Sequence, residues 1–137
     1  MVILYDRFNL PDDIYEIVFA TKQQVIVAKL LIDMVKENGG EIGKTEMSLF
    51  ATRLHEGKLI TDAIDDSQYR GKKVKISYNK RQFYDRILTP MKGMGMIEYD
   101  LYKKTYRVSE NLSKDMTRIG ILWTQEVRRD AHQPRRS

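Results

Sequence analysis

The side chains of this sequence best suited to chemistry are basic and amide groups, and they cluster in its second half. Asn79, Lys80, Arg81, Gln82 and Arg86 lie close together, with Lys72, Lys73 and Lys75 just before them and Lys103, Lys104 and Arg107 just after. Asn and Gln can pair bidentately with adenine, and Arg with guanine. Lysine neutralises phosphate as a point charge. The charge balance follows the same division. Residues 1–71 hold 8 Lys+Arg against 12 Asp+Glu, and residues 72–137 hold 16 against 7. The first part is net −4 and the second net +9, an asymmetry that points to a polyanionic partner on one side of the molecule.

Other chemistries find less material. The chain has no cysteine, which excludes disulfides, thiolate metal sites and cysteine nucleophiles. His55 and His132 are its two histidines, and His55-Glu56 lacks metal-ligand spacing. Asp62, Asp65 and Asp66 ahead of the lysines at 72, 73 and 75 have the residue types of a metal-dependent nuclease. A solvated acidic turn followed by a basic one accounts for them more simply. Gly93-Met94-Gly95 resembles part of a phosphate loop but lacks the following Lys-Ser/Thr, and reads as a helix stop. There is no Lys/Arg-Gly-Phe signature of an RNA-stacking sheet. The expectation is a binding protein with no catalytic residue, metal or cofactor. No apolar run nears the ~18–20 residues a membrane span needs, so no membrane partner is expected, and the location expected is cytoplasmic.

The elements that must position these groups are readable from periodicity. Val27, Leu30, Leu31, Met34 and Val35 mark a helix over 22–38, stopped by Asn38-Gly39-Gly40. Ile42 suits a short bridge or strand. Met47, Phe50, Ala51 and Leu54 mark a second helix over 44–55, with Thr45 as a cap and Gly57 as its end. Leu59, Ile60, Ala63 and Ile64 suit a short helix, Tyr69–Lys72 a turn, and Val74 and Ile76 a strand. A third helix over 79–91, capped by Ser77 or Asn79, buries Phe83, Ile87, Leu88 and Met91. Its opposite side presents Asn79, Gln82, Asp85, Arg86 and Thr89. Pro90 should kink or tighten it near Thr89. Two strands, 96–100 and 104–108, flank a basic tip and form a hairpin. A last helix, capped by Ser113 and running to about Arg129, carries Leu112, Met116, Ile119, Trp123 and Val127 on one stripe.

The order of three helices, a glycine break, a basic hairpin and a helix resembles the winged helix-turn-helix domain. The likeness is most specific where Phe83-Tyr84-Asp85-Arg86-Ile87-Leu88 leads through Met91-Lys92-Gly93-Met94-Gly95-Met96-Ile97 into Tyr106-Arg107-Val108-Ser109. These look like the family's recognition helix, its entry into the first wing strand, and its second wing strand. The stretch between the second and third helices is longer than the family's usual turn, and a helix at Leu59–Ser67 would make an alternative partner for the third.

The resemblance implies a mainly α fold with a small β-hairpin wing, binding double-stranded DNA as a transcriptional regulator and often dimeric. Residues 1–21 would be an N-terminal arm, 22–112 the winged-helix domain, 113–129 a helix available for dimerisation, and 130–137 a flexible basic tail. Phosphate contacts would come from the wing and the lysines at 72, 73 and 75, and base reading from helix 79–91. Met116, Ile119 and Trp123 would form the interface of a homodimer matched to a palindromic site. The alternative is a winged-helix docking module in a transcription, replication, or plasmid or viral segregation assembly.

Overall fold

The structure is a computed structural model, and it describes residues 5–61 and 74–135. The described chain is mostly helical with a small three-stranded antiparallel sheet. Thr21 Oγ1 accepts from the Gln24 N–H at 3.2 Å and starts helix α2, Lys22–Glu37. Its inner side buries Val25, Val27, Ala28, Leu31, Ile32 and Val35. Gly39 and Gly40, at φ 80° and 89°, reverse the chain, and the Gly40 N–H donates to the Val35 carbonyl at 2.9 Å. Ahead of α2 lie a 3₁₀ turn, Arg7–Asn9, and helix α1, Ile14–Val18, capped by Asp13. The Asp13 carboxylate meets Lys29 Nζ at 2.6 Å, and Val18 and Phe19 enter the core beside α2.

Strand β1, Glu41–Gly43, carries Ile42 inward and leads directly into α3, Lys44–His55. The N-cap of α3 is Gly43, not Thr45, and no side chain caps it there. Met47, Phe50, Ala51 and Leu54 are buried from α3, and Gly57 turns the chain away at φ 68°.

The expected helix at 59–67 is replaced at its start by strand β2, Leu59–Thr61. It pairs antiparallel with β3, Val74–Ile76, with Ile60 opposite Lys75. A short apolar run has no decisive period, and the cross-chain partner decides here in favour of a strand. The remainder of that expected helix, and the expected turn at 69–72, lie outside the described residues.

Residues 80–93 form one continuous helical run in three parts: α4, Lys80–Phe83; a π-helical turn, Tyr84–Leu88; and α5, Thr89–Gly93. Asn79 is the cap, its Oδ1 accepting from the Gln82 N–H at 3.1 Å. Pro90 widens the helix before it instead of tightening it. Proline offers no N–H to the carbonyl four residues back and its ring crowds that carbonyl, and a π-turn opens the room. The Thr89 N–H accordingly reaches back to the Tyr84 carbonyl. Phe83, Ile87, Leu88 and Met91 are buried, as the stripe predicts.

Strands β4, Ile97–Asp100, and β5, Thr105–Val108, form the expected hairpin, and β1 adds to the far edge of β5, giving the order β1-β5-β4. Ile42, Ile97 and Tyr106 close the core from the sheet side. The last helix, α6, spans Asn111–Arg128, with Glu110 rather than Ser113 at its cap position. Ser109 Oγ accepts from the Asn111 N–H at 3.1 Å. Gly95, at φ 77°, lets the base of α6 sit against the end of α5. A Cβ there would lie 2.8 Å from Asn111 Cβ and 2.9 Å from the Leu112 nitrogen. Leu112 packs on the core, and beyond it no residue of α6 is buried.

Candidate nucleic-acid interface

The start of the 80–93 run is fixed from two sides. The Tyr78 N–H donates to the Leu54 carbonyl at 3.0 Å, and Gln23 Nε2 donates to the Ser77 carbonyl at 2.9 Å. The Lys80 N–H, free of any intrahelical acceptor, donates to His55 Nδ1 at 3.0 Å. Behind these bonds Phe83 is fully buried, its ring 5.5 Å from Phe50 and 5.4 Å from Tyr84. This ring cluster sets the rotation of the helix and so decides which side chains face outward.

Asn79, Arg81, Gln82, Arg86 and Thr89 are all exposed. Their freedom differs. Asn79 spends its carboxamide oxygen on the cap. Lys80 Nζ donates to Thr52 Oγ1 at 3.0 Å, so this lysine lies along α3. Arg81 reaches Asp85 only at 3.9 Å and both are well exposed, a pair that solvent screens. Gln82 and Arg86 make no side-chain hydrogen bond or ion pair among the described residues. Gln82 precedes the π-turn and Arg86 lies within it, where the bonds close over five residues, so the two are not spaced by one regular α-turn.

The hairpin tip has its own internal support. Asp100 Oδ1 accepts from the Tyr102 N–H at 2.9 Å and the Lys103 N–H at 3.0 Å. The amide of Lys103 in particular holds the Asp100 carboxyl below its usual range. Lys104 takes a positive φ of 55°, which closes the turn. Lys103 and Lys104 are exposed, and so are Leu101 and Tyr102 at 78% and 99%. Arg107 is opposite Glu98 in the register and grips its Oε2 through Nε at 3.2 Å and Nη2 at 3.0 Å, so its charge is partly spent within the sheet. Lys75 belongs to β3. Lys72 and Lys73 lie outside the described residues.

One surface was not singled out from the sequence. Lys44, Thr45, Ser48, Leu49 and Thr52 of α3 line a shallow concavity of ≈ 410 Å³. Lys80 reaches its Thr52 end. At the other end Lys44 Nζ sits 5.6 Å over the Tyr99 ring, and Tyr99 packs on Tyr106 with centroids 4.7 Å apart. Burial, and then the neighbouring Tyr84 and Tyr99, push the Tyr106 phenol up, so it stays neutral. The concavity thus has a cation at each end and hydroxyls between. The signal for it was the i, i+4 spacing of Lys44, Ser48 and Thr52, which lies outside the apolar stripe of α3.

Met116, Ile119 and Trp123 are exposed at 38%, 52% and 67%. The chain past α6 turns back on it, with Arg129 and Arg135 both hydrogen-bonded to Glu126 and holding its carboxyl below the usual range. Among the described residues, no group of three or more His, Asp or Glu is placed to hold a metal, and no helix is long and apolar enough to cross a membrane.

Comparison with protein families, with curated proteins and with solved structures finds no match to this chain.

Proposed function

We propose that this protein is a winged-helix binder of double-stranded DNA, acting in the cytoplasm as a non-catalytic transcriptional regulator. The observation that carries the reading is the exposed face of residues 80–93, where Gln82 and Arg86 have no partner among the described residues, next in the chain to a hairpin tipped by Lys103 and Lys104. The sheet order β1-β5-β4, with its first strand lying between α2 and α3, supports the winged-helix arrangement. In this reading Gln82 and Arg86 meet base edges and Arg81 meets phosphate. Lys103 and Lys104 hold the flanking backbone, as do Lys72, Lys73 and Lys75. The concavity of α3, with Lys44 and Lys80 at its ends, lies on the approach to the same helix and adds hydroxyl donors for phosphate.

A mobility-shift series with genomic duplex fragments at rising salt tests this. The reading requires retarded fragments at low salt and a preferred subset that survives longest as salt rises. A second reading draws on Leu101 and Tyr102, two large apolar residues standing out at the hairpin tip. They favour a protein-docking module, in which no duplex is retarded at any salt.

A further inference from the structure

The tip of the hairpin carries apolar side chains where turn chemistry favours polar ones. Between the paired ends Asp100 and Thr105 the loop reads Leu101-Tyr102-Lys103-Lys104. Loop tips favour Gly, Asn, Asp and Ser, which bend easily or hydrogen-bond to their own backbone. Leu101 is instead 78% exposed and Tyr102 99%, so the tyrosine ring touches almost nothing of its own chain.

The loop is nonetheless held in shape. Asp100 Oδ1 accepts from the Tyr102 and Lys103 amides at 2.9 and 3.0 Å, and the Glu98–Arg107 pair braces the strands behind them. Both Asp100 bonds go to backbone, so they are indifferent to the side chain at position 102. Lys104 has φ 55°, a conformation that glycine or asparagine adopts at less cost. A cation stands there against the backbone preference. The turn thus presents an aliphatic and an aromatic group in a fixed place, followed by two ammonium groups.

Each half of that combination matches one part of a nucleic-acid duplex. The ammonium groups suit phosphate. The apolar groups suit the face of a base, which is accessible where a step is partly unstacked. Apolar side chains inserted into a step kink the duplex, and an aromatic ring replaces part of the lost stacking. A protein partner would need an apolar hollow ringed by acids, whereas a duplex offers base faces and phosphates at every step.

We propose that Tyr102, with Leu101 beside it, wedges into a base step of the bound duplex while Lys103 and Lys104 hold the adjoining phosphates. Such a wedge rests on the duplex-binding reading and adds to it a preference for DNA whose stacking is already interrupted, since a mismatched step opens at less cost.

Fluorescence anisotropy of the full chain on two duplexes of one sequence, one perfect and one with a central two-base mismatch, tests this. The mismatched duplex should be bound roughly fivefold tighter or more. Tyr102→Ser should bring the two affinities together, and Tyr102→Phe should keep them apart, because the ring and not the hydroxyl is the wedge. The nearly complete exposure of Tyr102 means that neither substitution disturbs the fold. Equal affinity of the unmodified protein for both duplexes, a preference that survives Tyr102→Ser, or one lost in Tyr102→Phe would overturn the wedge and leave duplex binding standing. Binding to neither duplex would overturn both.

Discussion

The backbone N–H of Lys80 donates to Nδ1 of His55 across 3.0 Å, tying the first turn of the 80–93 run to the last residue of α3. Nδ1 accepts this bond through its ring lone pair, which leaves Nε2 as the ring nitrogen that carries hydrogen. His55→Ala removes an acceptor from a helix end. The bond is exposed, so the expected loss of stability is only about 0.5–1.5 kcal/mol. Thermal unfolding checks the stability, and slower amide exchange at Lys80 in wild type than in the variant checks the bond itself.

Phe83 is the internal counterpart of that bond. With zero exposure and rings on both sides, Phe83→Ala should cost about 3–5 kcal/mol. Urea unfolding reads this directly. A cost below about 1 kcal/mol would mean that the helix is not oriented by this ring.

How far this arrangement was legible varies with the kind of signal. Helices α2 and α3 were legible because their stripes are long and glycines end them. The hairpin was legible as two short strands, 96–100 and 104–108, on either side of a basic tip, and Ile42 as a short bridge or strand. Leu59-Ile60 misled because a short apolar run fits helix or strand, and its partner is the distant Ile76-Lys75 pair. The caps of α3 and α6 were missed because Thr45 and Ser113 look like caps, while the chain geometry places the ends at Gly43 and Glu110. Within the candidate site, the exposure of Gln82 and Arg86 followed from the helical wheel. Lys80's attachment to Thr52 and the α3 concavity did not, since both depend on how two helices meet.

The hairpin tip should be sensitive to acid. Asp100 is held below its ordinary value of 3.8 by the Lys103 amide first and, more weakly, the Tyr102 amide, so its charged form supports the folded turn. That support is complete above the ordinary value. It is lost as pH falls through the lower folded value, when protonation removes the charge the two amides favour. Amide shifts of Tyr102 and Lys103 should therefore move together below about pH 4, and Asp100→Ala should show the low-pH shifts at every pH.

The proposed reading gives Lys103 and Lys104 to phosphate, so replacing both with alanine should weaken binding to every duplex alike. Each lost contact should lower the log–log salt slope by about 0.9. Fluorescence anisotropy on specific and random duplexes measures both. A loss confined to one sequence would make the hairpin a base reader.

Gln82→Ala and Arg86→Ala should each cost about 1–3 kcal/mol at their own base positions while changing random-duplex affinity less. Both side chains are exposed, so thermal stability should hold. Equal losses on both kinds of DNA would move the residue to the phosphate class.

The proposed binding of duplex DNA through the charge of this surface is tested most directly by the affinity of the unmodified protein for a random-sequence duplex across a salt series. Measurable binding is expected at low salt, with a straight fall of log K with log salt whose slope is about −0.9 for each phosphate neutralised. Absence of binding at the lowest salt, or an affinity indifferent to salt, would contradict it.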